Sequence, residues 1–72
     1  MSSTLDLRGV RCPLNWAKAK VHIETLTRGT VLTLMVDDPK AVRDLPHAAE
    51  ASGHHVVDVT TTDDHTRITI EV

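Results

Sequence analysis

Phenylalanine and tyrosine are absent from this 72-residue sequence, and tryptophan and cysteine occur once each. With Trp16 as the only aromatic residue there is no platform on which to stack bases, and a net charge of −2 supplies no excess of cations for a phosphate backbone, so direct nucleic-acid binding is not expected. One cysteine cannot form an internal disulfide. Small secreted domains usually need several, so a reducing, cytoplasmic setting is expected. No apolar run approaches the roughly 18 residues of a membrane helix, and the opening MSSTLDLRG has no apolar signal core. No membrane association is therefore expected. Repeats, linkers and low-complexity segments are also missing. A chain this short buries only about 60% of the surface its unfolded form exposes, which argues against a deep substrate cavity.

An apolar content of 40% is ordinary for a folded domain. The small net charge hides a division along the chain. Residues 1–30 hold five basic side chains (Arg8, Arg11, Lys18, Lys20, Arg28) against two acidic ones, whereas residues 31–72 hold three against eight. Mixed surface charge accounts for such a division, but the cysteine lies in the positive part, where a thiolate is favoured.

TLDLR alternates Leu5 and Leu7 with polar neighbours, the pattern of a short strand. Gly9 breaks it, and a helix is predicted from Pro13 to about Thr27, because proline suits the first helical position. Trp16, Ala19, Ile23 and Leu26 recur at helical spacing and should face a sheet, with Leu14, Ala17 and Val21 widening the stripe. TVLTLMV is a strand for the inside of the sheet. Asp38 is then an expected N-cap with Pro39 as first helical residue. Pro46 argues for a break, so a turn is predicted over 39–43, then a helix capped by Asp44 and ended by Gly53. HHVVDVTT, with Val57 and Val59 alternating, and TRITIEV, with Ile68, Ile70 and Val72, should pair as a hairpin across TDDH. The fold class is α/β: a two-layer α/β sandwich, β-α-β-α-β-β, with a four-stranded mixed sheet and two helices on one face, in one domain over 1–72.

Cys12 stands where a helix N-cap belongs, a position that normally takes Ser, Thr, Asp or Asn. A neutral thiol accepts hydrogen bonds poorly. A thiolate there would receive the amides of positions 14 and 15 and the positive end of the helix dipole. Arg11, with Arg8 across the loop, adds positive charge, Pro13 stiffens the approach, and Asn15 offers its side-chain amide to the sulfur. The plainer alternative is that Cys12 is a small buried apolar residue. Of the five histidines none is next to Cys12 in sequence, and the adjacent strand residues His54 and His55 point to opposite faces, so neither a metal nor a cofactor is expected.

LDLRGVRCPLN and DDPKAVRDLPHAAEASGHHV resemble the two characteristic blocks of the TusA/SirA-like sulfur-carrier family: a strand leading into a Cys-Pro-x-Pro helix start, and an Asp-Pro block running through Asp-Leu-Pro to Gly-His. The likeness covers Leu5 to Val72, and the family's second proline is here Asn15. It implies the two-layer fold and a persulfide carried on Cys12. It also implies a cysteine desulfurase or other persulfide donor, and a downstream sulfur-acceptor protein in tRNA thiolation, molybdenum-cofactor synthesis or sulfur oxidation. Such a sulfurtransferase-type protein is a carrier more than a stand-alone enzyme. A regulatory or adaptor module on the same fold is the alternative.

Overall fold

A computed structural model describes residues 2–11 and 14–72. Its elements are β1 (Ser2–Asp6), α1 (Leu14–Glu24), β2 (Val31–Val36), α2 (Pro39–Ala51), β3 (His55–Thr61) and β4 (Thr66–Glu71), the order expected from the sequence. The strands form one sheet ordered β1-β2-β4-β3. β1 runs parallel to β2, with Leu5 opposite Leu34, because α1 carries the chain back between them. β4 is antiparallel to both of its neighbours, placing Ile68 opposite Leu34 and Val59.

β2 lies inside the sheet, as its apolar run requires. Leu32, Leu34 and Val36 point to the helices and are fully buried, while Val31, Thr33 and Met35 on the other face are half-buried. Ile68 and Ile70 of β4 continue the inner face, and Leu7, Ala19, Ile23, Ala41, Leu45 and Ala49 close the core from above. The α/β sandwich with both helices on one face is thus the observed architecture.

Local expectations are corrected in three elements. α2 is one continuous helix from Pro39 to Ala51 with Pro46 inside it, not a turn followed by a helix capped by Asp44. Its cap is Asp38, whose carboxylate accepts from the Lys40 amide at 3.0 Å. Pro46 removes one amide from the ladder, but Ala41, Leu45 and Ala49 at fourfold spacing straddle it and bury one face, which holds the helix together. Asp44 is an exposed mid-helix residue 3.5 Å from Arg43. The end is as expected: Gly53, at φ +89°, donates to the Glu50 carbonyl and His54 to that of Ala49, a Schellman closure that needs a left-handed residue.

α1 stops at Glu24, short of Thr27, and its last turn tightens as the Thr25 and Leu26 amides bond three residues back. Its inward row is Asn15, Ala19 and Ile23, with Trp16 and Leu26 at the margin; Leu14 and Val21 are 56% and 65% exposed and Ala17 is exposed as well. In β3 a register shift between Val56 and Asp58 inserts an extra residue. That bulge resets the alternation, so Val56 joins the core while Val57 and Val59 stay exposed.

Candidate functional site

The site is the segment joining β1 to α1, where the sequence puts its thiol. Leu7 is buried and its carbonyl accepts from the Val10 amide at 3.1 Å, closing a turn with Gly9 at φ +83°. That third turn position calls for glycine, which explains the Arg-Gly pair. The Gly9 amide donates to the Asp37 carboxylate at 2.9 Å, tying the loop to the β2–α2 junction.

Arg8 does not serve the thiol as expected. Its Nε and Nη2 donate to the two Asp6 oxygens at 3.0 and 2.9 Å, and its amide donates to Oδ1 at 3.0 Å. These bonds hold the Asp6 carboxyl down to about 2, so the two charges cancel locally. Arg11 is exposed and has no ion pair among the described residues. It lines an open hollow of about 470 Å³ with Gly9, Asp37, Asp38, Pro39 and Lys40. Asp37 and Lys40, neither of which stood out in the sequence, therefore face the same hollow as Arg11. Only the second Asp-Pro block, read as a partner of the first, could have pointed to them.

Cys12 and Pro13 lie outside the described residues. Of the two amides expected to be free for the sulfur, that of Asn15 is already engaged, donating to the Arg11 carbonyl at 3.1 Å, because the helical bonding starts at residue 11. Asn15 itself is fully buried. Its Oδ1 accepts from the Trp16 amide at 2.7 Å, and its Nδ2 is buried with no hydrogen-bond partner among the described residues. Leu14, Ala17 and Val21, expected inside, instead form an exposed apolar row along α1 that begins two residues after the cysteine, with Lys18 and Lys20 exposed beside it.

Across the sheet end, the β3–β4 turn places His65 Nδ1 2.5 Å from the Asp64 carboxylate, a hydrogen bond that holds the pKa of that carboxyl below the usual carboxylate value. Among the described residues no group of three or more His, Cys, Asp or Glu side chains could hold a metal ion. No helix is long and apolar enough to cross a membrane.

The model of the family described as Sulfurtransferase TusA matches residues 3–72. The chain belongs to the TusA family. The protein named sulfur carrier protein TusA from Buchnera aphidicola is 31% identical over 62 residues, covering 86% of this TusA-family chain and 78% of the relative. A predicted sulfur carrier protein of Archaeoglobus fulgidus is 36% identical over 58 residues; the match covers 81% of this chain and 66% of that one. The crystal structure of a SirA-like protein from Desulfitobacterium hafniense superposes with a TM-score of 0.82 at 27% identity, covering 97% of this chain and 96% of the other. The TusA/SirA-like likeness of the two sequence blocks is thereby a family membership, and the four-stranded sheet with two helices is that family's fold.

Proposed function

We propose that this TusA-family chain is a sulfur carrier whose Cys12 takes the sulfane sulfur of a donor persulfide and hands it to an acceptor protein. One observation carries the proposal: the chain's only thiol falls between β1 and α1, in a domain whose relatives are named sulfur carrier proteins. The Cys12 thiolate attacks the terminal sulfur of the donor persulfide. A new S–S bond forms on Cys12, the donor S–S bond breaks, and the donor cysteine leaves with the electron pair as a thiolate. In the second step an acceptor thiolate attacks the same terminal sulfur and Cys12 leaves as the thiolate. No external oxidant or reductant is consumed.

Both steps need a thiol that is largely ionised and reachable by a second protein. Arg11, exposed and unpaired among the described residues, supplies positive charge for the first requirement, and Pro13 stiffens the chain entering the helix. The open hollow beside Arg11, in place of an enclosed cavity, suits the second. The apolar row Leu14, Ala17 and Val21 with Lys18 and Lys20 offers a docking face beside the thiol for a protein with an apolar centre and an acidic rim. The donor is a cysteine desulfurase or another persulfide-bearing protein. The acceptor belongs to a route of tRNA thiolation, molybdenum-cofactor synthesis or sulfur oxidation.

The test is intact mass after incubation with cysteine and each of several cysteine desulfurases, and separately with a low-molecular-weight persulfide. The expected result is a gain of one sulfur atom that a reductant removes. Failure of every donor to load the folded protein, together with a thiol closed to alkylation, would overturn the carrier role in favour of a regulatory or adaptor module.

A further inference from the structure

Large apolar side chains stand exposed on two elements. On α1, Leu14 and Val21 are 56% and 65% exposed and seven positions apart, which puts them on one face of the helix. Ala17 and Lys18, both exposed, lie on that face between them, and Lys20 flanks it. Neither lysine has an ion pair among the described residues. The other exposed pair, Val57 and Val59, belongs to the edge strand β3, where the bulge and the exposed Asp58 between them guard against pairing with a further strand. The face that lacks a cover is therefore the one on α1. Across the β1–α1 loop from it, a second open hollow of about 380 Å³ lies between the start of α2 and the β3–β4 turn. Pro39 and the half-buried Val42 form its apolar part, Asp37, Asp63 and Asp64 its acidic part, and no lysine or arginine lines it. It shares Asp37 and Pro39 with the hollow that Arg11 lines, so the acidic hollow and the α1 row flank one loop.

We propose that the α1 face is covered by a second copy of this chain, in a two-fold pair in which the α1 row of each copy rests against the acidic hollow of the other. Leu14, Ala17 and Val21 then meet Pro39 and Val42, and Lys18 and Lys20 meet Asp63 and Asp64, an apolar centre with a charged rim. The basic residues 1–30 and the acidic residues 31–72 make the surface self-complementary, and two-fold symmetry makes each contact twice and closes the assembly. The β1–α1 loop lies at the seam, and pairing closes the α1 face to any other protein. That consequence for sulfur transfer rests on the carrier role; the pairing itself does not.

Sedimentation equilibrium of Cys12→Ser, which cannot cross-link through its thiol, tests the pairing over a range of concentrations. The mean mass should rise with concentration toward that of two chains at about 0.01 M salt, and fall back to one chain at about 1 M, where charges are screened beyond about 3 Å. In the same background, Lys18→Glu with Lys20→Glu, and Asp63→Lys with Asp64→Lys, should each stay monomeric, because like charges then face one another. An equimolar mixture of the two should pair one to one, since reversed lysines meet reversed aspartates and the unaltered groups meet each other. In the unreversed chain, the amides that shift on dilution should be those of α1 and of residues 61–66. A chain that stays monomeric at low salt, pairing that salt leaves intact, shifts confined to other segments, or pairing that survives either reversal alone overturns the proposal. So does a mixture of folded variants that fails to pair. If the chain pairs but no donor loads sulfur on the wild type, the carrier role fails and the pairing stands; if a strictly monomeric chain loads sulfur, the reverse holds.

Discussion

Two arginines three residues apart have opposite fates at the site. Arg8 is consumed by Asp6 through two side-chain bonds and one backbone bond, whereas Arg11 stays available at the edge of the hollow. The Asp6 carboxyl, held at about 2, should return to the ordinary carboxylate range of about 4 in Arg8→Ala, as followed by its carbonyl chemical shift against pH. Because the folded value is depressed, the pair stabilises the fold above the unfolded value and that contribution fades as pH falls through about 2. Alkylation rates separate the two roles: Arg11→Ala should slow modification of Cys12 near neutral pH, and Arg8→Ala should leave it nearly unchanged. Equal slowing in both variants would mean that Arg8 also serves the thiol. None of this division was legible in the sequence, because an Asp and an Arg two apart pair only when the strand end and turn bring them to one side.

At the scale of single elements, α2 and α1 show what periodicity reveals and what it hides. Asp38→Ala should cost about 1 kcal/mol in denaturant unfolding, the usual loss for a cap, while Asp44→Ala should cost almost nothing. A larger loss at Asp44 would contradict the continuous helix. The Asp38-Pro39 start and the Gly53 end were readable because cap chemistry is local. The segment between them was not, since Pro46 is a strong breaker in isolation and only tertiary burial of Ala41, Leu45 and Ala49 keeps the helix whole. In α1 the apolar residues span more than one face, so periodicity alone could not say that Leu14, Ala17 and Val21 lie outside and Asn15 inside. The β3 bulge misled in a similar way, because an alternation read along one strand cannot register an extra residue that only its partner exposes.

For the molecule as a whole, element order, parallel crossover and hairpin followed from the sequence, since each rests on chain-local signals plus the rule that parallel strands need a helix between them. The two-layer arrangement leaves one end of the sheet to carry the β1–α1 loop, the β2–α2 junction and the β3–β4 turn together. Asp37 joins the first two by accepting from Gly9, and Asp37→Ala should loosen that end, read as faster exchange of the Gly9 amide with the rest of the sheet still protected. Unchanged exchange there would show that the turn at Gly9 holds itself. The charge of the hollow follows from this arrangement, and the proposed sulfur chemistry rests on the family blocks and the single cysteine of the sequence.

The central claim is that Cys12 both accepts and releases a sulfane sulfur on an unchanged fold. It is tested most directly by intact mass of the wild type and Cys12→Ser after exposure to a persulfide donor, and again after addition of an excess of acceptor thiol. The wild type should gain one sulfur atom and lose it to the acceptor. Cys12→Ser should gain none while unfolding at the same denaturant concentration as the wild type. Sulfur retained in the presence of the acceptor, or equal loading of Cys12→Ser, would contradict the account.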